Sequence, residues 1–208
     1  MRAVTATKGH RIFAALYDRL TAPAERRILA EHRAYLAGRA RGRVLELGAG
    51  TGANFPYFPA DVELVAVDPD PHMLRRARRR AKQLGRSIAL QQAPAEDLPF
   101  PDASFDTVVV TLVLCSVEEP DRALAEVRRV VRPGGELRFL EHVRAPSVGW
   151  ARFQDAITPV WGWCGAGCHP NRETVSAIER AGFRIVELEH DDRVVYPTRP
   201  LARGVAVR

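Results

Sequence analysis

The segment Val44-Leu45-Glu46-Leu47-Gly48-Ala49-Gly50-Thr51-Gly52 constrains the fold of this chain more than any other. It reads as a buried strand with an acid near its end, followed by a glycine loop that lets backbone amides approach a ligand closely. A Cβ in that loop would obstruct both the tight turn and the approach. Twenty residues beyond Gly48, a second apolar run, Val62 to Val67, ends in Asp68. A carboxylate at that place accepts hydrogen bonds from both hydroxyls of a ribose. Together the two segments predict an α/β domain with a nucleoside cofactor.

Gly48-Ala49-Gly50-Thr51-Gly52-Ala53 also fits a loose form of the dinucleotide fingerprint. Glu46 argues against that reading, because an anion beside the loop repels a pyrophosphate but attracts an ammonium group. Further on, Leu98-Pro99-Phe100-Pro101-Asp102-Ala103-Ser104-Phe105-Asp106 leads into the β-branched run Thr107 to Val113, and Arg132-Pro133-Gly134-Gly135-Glu136 separates a helix from the run Leu137 to His142. With these motifs in this order the chain resembles the class I S-adenosylmethionine-dependent methyltransferases. The resemblance implies a doubly wound, mostly parallel seven-stranded sheet with helices on both faces, an antiparallel last strand, and S-adenosylmethionine as cofactor.

The chain has 208 residues, enough for one domain with a sizeable core. We divide it into a helical lid segment (1–40), a cofactor-binding core (41–145) and an acceptor-side insertion with the C-terminal strands (146–208). Three cysteines make no disulfide framework, and the first twenty residues hold only the short apolar run Ile12 to Tyr17, so a cytoplasmic protein without a membrane span is expected. The net charge of +6 is carried almost wholly by arginine. Its densest cluster, Arg75 to Lys82, is threaded by Leu74, Ala77, Ala81 and Leu84 at helical spacing, which describes a solvated face over a buried one. No aromatics interleave to stack bases, so a nucleic-acid partner is not expected.

Alternating patterns place helix over 10–37 with a break near Pro23, strands over 43–47, 62–67, 88–92, 107–113, 137–142, 183–189 and 204–207, and helices from Pro71, over 121–131 and over 171–181. A short helix interrupted at Pro56 and Pro59 is expected after the glycine loop, and an aromatic-rich linker after His142. In a doubly wound sheet the ligand lies at the carboxyl ends of the strands. The expected cofactor contacts are Glu46, Gly48, Ala49, Gly50, Thr51, Gly52, Asn54 and Asp68, with a methionyl carboxylate at the N-terminus of the helix after Gly52. Pro69 and Met73 supply apolar cover for adenine, or Met73 is core. The resemblance implies an acid facing the adenine amino group, but Pro94 stands at that place, leaving the Ala95 amide and the Glu96 or Asp97 carboxylate. Thr111 and Leu112 offer carbonyls to the ammonium group. Tyr17 is either a lid over the cofactor or a core aromatic.

Methyl transfer from a sulfonium is an in-line displacement, so few catalytic groups are needed. His142 at the end of its strand is the candidate general base, the alternative being a structural cap. The strings Thr51-Gly52-Ala53-Asn54-Phe55, Thr111 to Val117, Glu141-His142-Val143, Pro159-Val160-Trp161 and Gly167-Cys168 resemble the methyltransferase-like branch whose animal members S-methylate alkyl thiols. The animal enzymes' hydrophobic membrane anchor has no counterpart in the first residues. A thiol acceptor suits a histidine, since a free thiol ionises near pH ~8.5. Cys115, Gln154 and Trp161 are the candidate acceptor contacts, and Trp150, Phe153 and Trp163 either join them in an apolar pocket or pack a lid. O- or N-methylation of a quinone precursor, lipid headgroup or natural product stays open, as do an RNA methyltransferase and a non-catalytic cofactor-binding protein. Cys164, Cys168 and His169 lack an evident fourth ligand, so no metal is expected.

Overall fold

Burial alternates with period two along the central strands, and the two sets of side chains belong to two different cores. Leu45, Leu47, Val65, Val67, Val108 and Val110 enter one cluster, and Val44, Leu64, Ala66 and Val109 the other. A strand buried on both faces must lie between two layers. The computed structural model describes residues 28–165, 167–193 and 198–208, and shows this arrangement. Tyr17 and most of the expected first helix lie outside the described residues.

Seven strands form one sheet in the order β3-β2-β1-β4-β5-β7-β6. They are β1 (Arg43–Leu47), β2 (Glu63–Asp68), β3 (Ala89–Gln92), β4 (Phe105–Thr111), β5 (Val131–His142), β6 (Arg184–Asp191) and β7 (Leu201–Val207). The first five are mutually parallel, and β7 pairs antiparallel with β5 and with β6. The helices are α1 (Ala30–Ala37), α2 (Pro71–Gln83), α3 (Pro120–Val130), α4 (Val148–Cys164) and α5 (Thr174–Arg180). Ala77 and Ala81 bring α2 to one face, whereas Leu124 and Val127 of α3 and Ile178 of α5 cover the other. The N-terminus of α2 is fixed by Asp70, whose carboxylate accepts from the His72 amide at 2.7 Å, with Pro71 in the first turn.

Helix α1 packs Leu36 and the preceding Leu29 on Leu140 and Leu201, over the face that also carries Val44 and Val109. It is pinned by a buried contact between His32 Nε2 and Asp191 Oδ2 at 2.9 Å, and Arg193 joins Asp191 to Glu31. The proline-rich string before β4 is clamped from α3, where the Arg129 guanidinium donates to the carbonyls of Leu98 and Phe100.

Several boundaries differ from expectation for physical reasons. No helix follows the glycine loop; residues 51–57 form successive turns, and Pro56 and Pro59 interrupt any helical run there. Strand β4 stops at Thr111 because Leu112 adopts φ +58, which turns the chain out of the sheet. Strand β5 begins at Val131, so the Pro133-Gly134-Gly135 stretch continues a strand instead of looping. The expected linker after His142 is a 17-residue helix, α4, whose first turn is capped by Ser147 accepting from the Trp150 amide.

Candidate active site

Side-chain direction follows from register. Glu46 pairs with Ala66 and Val109, and Thr111 pairs with Leu140, so Glu46, Asp68, Thr111, Leu140 and His142 all project from one face of the sheet. That face, at the carboxyl ends of β1, β2, β4 and β5, is where the candidate residues meet. Adjacent strands lie ~4.8 Å apart, so the ends of β1 and β5, separated by β4 alone, are about 10 Å from each other.

The loop between β1 and β2 is built around three left-handed glycines, Gly48 at φ +71, Gly50 at φ +53 and Gly52 at φ +79. A Cβ on Gly48 would stand 2.3 Å from Val113 Cγ2, and one on Gly52 would stand 2.6 Å from the Phe55 ring, whereas one on Gly50 would meet nothing within 4 Å. Gly48 and Gly52 are therefore glycines for packing, and Gly50 borders open space. The Ala49 amide donates to the Val67 carbonyl at 2.8 Å, and the Gly50 amide to Asp68 Oδ2 at 2.8 Å, which lashes the loop to β2. Asp68 Oδ1 accepts from the Asp70 amide at 2.8 Å, leaving each carboxylate oxygen a further lone pair.

Asn54 is the hub of the polar cluster behind the loop. Its Nδ2 donates to Glu46 Oε1 at 2.9 Å and to Thr111 Oγ1 at 3.1 Å, and its Oδ1 accepts from Arg33 Nη1 of α1 at 2.7 Å. Glu46 Oε2 is buried and has no hydrogen-bond partner among the described residues. Burial pushes the Glu46 carboxyl up from 4.5 to about 8, and the Asp68 carboxyl, also through burial, from 3.8 to about 6. Glu46 and Asp68, each with acceptor capacity to spare, flank the open space at Gly50, an arrangement able to accept from a cation and from a hydroxyl pair.

Other expected cofactor contacts are placed differently. Thr51 and Met73 are buried, Met73 on the inner side of α2. Pro69 offers its carbonyl to Gln92, while Ala95 is buried in the main core. Glu96 is turned to the segment before α3, accepting from the amides of Glu118 and Glu119. Leu112 packs near Leu140 and Leu201, and its amide donates to the Leu140 carbonyl. With turns in place of a helix after Gly52, the expected helix N-terminus for a carboxylate does not form.

Beyond Thr111 the chain is folded over Glu141. This fully buried carboxylate, on the opposite face from His142, accepts from the amides of Val113 and Leu114 with Oε1 and of Cys115 with Oε2 at 2.8 to 3.0 Å. The bend delivers Cys115 to His142, whose Nδ1 is 3.7 Å from Cys115 Sγ and 3.4 Å from Cys168 Sγ. The segment after α4 is tied over them by the His169 amide on the Cys115 carbonyl at 2.7 Å and by Arg172 on the Leu114 carbonyl. Cys168 donates its thiol hydrogen bond to Cys115 or receives one from it across 3.7 Å; the neighbouring thiol, and after it the Trp161 indole, draw Cys168 below the usual thiol range.

The acceptor-side expectations divide accordingly. Cys115 and Trp161 reach this cluster. Gln154 does not orient a ligand: its amide accepts from Ala145 and donates to the carbonyls of Val143, Pro170 and Arg199, so it clasps three backbone segments. Trp163 is 89% exposed, and Trp150 packs on Phe153 with the Arg199 guanidinium over its ring. Glu141 faces away from His142, as expected of neighbours on a strand, whereas Arg33, which the sequence did not point to, is set only by contacts between distant segments.

Residues 45–139 match the family model described as a methyltransferase domain. The chain is 42% identical over 180 residues to the human thiol S-methyltransferase TMT1B, covering 81% of this chain and 72% of that protein. It is 36% identical over 185 residues to the human thiol S-methyltransferase TMT1A, covering 86% and 75%. In three dimensions 95% of the chain matches 97% of a SAM-dependent methyltransferase from Thermotoga maritima, described as a possible histamine N-methyltransferase, with a TM-score of 0.70 at 23% identity. That last likeness concerns the fold alone.

Proposed function

Because this chain belongs to the class I S-adenosylmethionine-dependent methyltransferases and acts on a small molecule, we propose that the group it methylates is a thiol. The observation carrying this reading is the extent of the likeness to the thiol S-methyltransferases, which spans 180 residues and so runs well beyond the methyltransferase domain of residues 45–139. The segment past β5 holds Trp161, Cys168 and Arg172, the part of the chain that closes over His142.

S-Adenosylmethionine, when bound, supplies an electrophilic methyl carbon on a sulfonium. Glu46 with Asn54 holds the ammonium group, and the bare edge of Gly50 admits the cofactor's main body. Asp68 takes the ribose hydroxyls on its free lone pairs. His142, on the same sheet face one residue pair beyond Thr111, meets the acceptor and favours its thiolate form. A thiol needs little help to ionise, whereas an alcohol needs a much stronger base, and the one lysine among the described residues, Lys82, lies in the last turn of α2.

Incubation with methyl-labelled cofactor and a panel of alkyl thiols, phenols, alcohols and amines tests the reading. Label is expected in thioethers. Transfer confined to phenols or amines would overturn the thiol assignment, and salt-dependent RNA labelling would point to the nucleic-acid alternative.

A further inference from the structure

We propose that Cys115, His142 and Cys168 bind a zinc ion that leaves one coordination position for the acceptor as its thiolate. The proposal rests on the thiol reading above and specifies how that site would work. No metal was expected from the run Cys164-x-x-x-Cys168-His169, and the structure groups different residues: His169 Nδ1 is bonded to the Gly167 carbonyl at 2.6 Å, while Cys168 joins Cys115 and His142.

The geometry carries the inference. Cys115 Sγ and Cys168 Sγ are 3.7 Å apart, and His142 Nδ1 is 3.7 and 3.4 Å from them. Tetrahedral zinc with Zn–S near ~2.3 Å and Zn–N near ~2.0 Å requires separations of ~3.8 Å between sulfurs and ~3.5 Å between sulfur and nitrogen. A disulfide would need ~2.05 Å. The three donors come from three separate segments, the bend after β4, the end of β5 and the loop after α4, each fixed by its own backbone contacts. The Glu141 carboxylate holds the Cys115 amide, β7 pairs with His142 through Leu201, and the Cys168 amide donates to the Gly165 carbonyl at 3.1 Å. Both cysteines are buried, and His142 is half-buried at the rim that faces the cofactor.

Three such ligands with a position left over are the arrangement of catalytic, not structural, zinc. Two thiolates and a neutral imidazole cancel the charge of the ion, and an incoming thiolate brings the site to −1. Arg172, held at the Leu114 carbonyl, supplies a neighbouring positive charge. The acceptor R–SH would bind as R–S⁻, releasing its proton to solvent. A sulfur lone pair then forms the new S–C bond while the methyl carbon's bond to the sulfonium breaks, its electron pair staying on the cofactor sulfur. The products are R–S–CH₃ and S-adenosylhomocysteine, and the neutral thioether is a poorer zinc ligand than the thiolate it replaces. In this role His142 is a ligand and not a proton carrier.

Elemental analysis of the purified full-length protein should find equimolar zinc. Chelator treatment of the unmodified chain should remove it together with thiol methylation, and zinc should restore both. The double variant Cys115→Ser, Cys168→Ser should retain cofactor binding by calorimetry, which reports its folding, yet hold less than a tenth of the metal. Cobalt in place of zinc should give the visible bands of a tetrahedral thiolate site, and these should move on adding an alkyl thiol but not an alcohol. Thiol methylation that persists in protein free of zinc would overturn the proposal and leave the thiol reading standing. Bound cobalt whose bands ignore thiols would mark a closed structural site and overturn the open position. Bands that respond to thiols without any methyl transfer to them would instead sink the thiol reading.

Discussion

At the scale of single residues the candidate site centres on two buried acids, Glu46 and Asp68, with acceptor capacity to spare. Glu46 receives one hydrogen bond from Asn54, its other oxygen has no partner among the described residues, and burial holds it largely as the neutral acid in the free protein. Glu46→Gln keeps the shape and the Asn54 contact but cannot form the anion. Its cofactor affinity should drop about tenfold or more, the equivalent of one charge-assisted hydrogen bond, while thermal stability of the free protein at pH 8 and above should rise; calorimetry and melting curves read the two effects separately. Asp68→Asn should weaken the cofactor by ~1–3 kcal/mol, less through the loop than through the ribose, since an amide oxygen can still accept from Gly50; an unchanged dissociation constant would remove Asp68 from the site. His142→Gln should lower turnover by about a hundredfold and leave cofactor affinity unchanged. The places of Glu46 and Asp68 at the carboxyl ends of β1 and β2 were legible because each lies at or near the end of a short apolar run. Arg33, the three amides gathered by Glu141 and the meeting of Cys115 with Cys168 were not, because each depends on which distant segments come together, and that is fixed by register and by the bend at Leu112.

At the scale of elements, the glycine loop separates packing from ligand approach. Gly48→Ala forces a Cβ to 2.3 Å from Val113 and keeps a positive φ, so it should destabilise the fold by ~2 kcal/mol or more. Gly50→Ala meets no protein atom and should cost only the ~1 kcal/mol of a left-handed alanine, yet its methyl group occupies the open space beside Asp68. The expected outcome is a small fall in melting temperature for Gly50→Ala with a large loss of cofactor affinity, and the reverse emphasis for Gly48→Ala; equal affinity losses in proportion to stability would deny Gly50 a place at the ligand. Strands β1, β2 and β4 were readable because burial on both faces leaves unbroken β-branched runs. Helix α4 was not, since Gly149, Thr158, Pro159 and three tryptophans disfavour a helix by propensity, and its cap and the Gln154 clasp outweigh them. The helix expected after Gly52 failed for the opposite reason: hydrogen bonds between residues three apart complete the turns locally, and two prolines prevent extension.

Over the whole molecule, the buried acids couple stability and binding to pH with a definite sign. Glu46 is at about 8 in the fold against 4.5 ordinarily, and Asp68 at about 6 against 3.8, so between those limits the folded chain binds more protons than the unfolded one. Stability of the free protein therefore declines as pH rises from about 4.5 towards 8, because the unfolded chain has already released those protons. Asp191 acts the other way: hydrogen bonds from Arg193, and after them the contact with His32 that pins α1, hold it down at about 2, so its contribution is present above its ordinary 3.8 and disappears as the pH falls below it. The fold is thus weakened at low pH where α1 meets β6 and at high pH beside the glycine loop. A cationic ligand against Glu46 reverses the second effect by favouring the carboxylate, so binding must expel protons. Calorimetric titration at pH 6.5 in buffers of different ionisation enthalpy should show net proton release on cofactor binding, and affinity should increase as pH rises from 6 to 8. Glu46→Gln should abolish most of that release. Proton uptake, or a release untouched by the substitution, would mean that the ammonium group is held somewhere other than at Glu46.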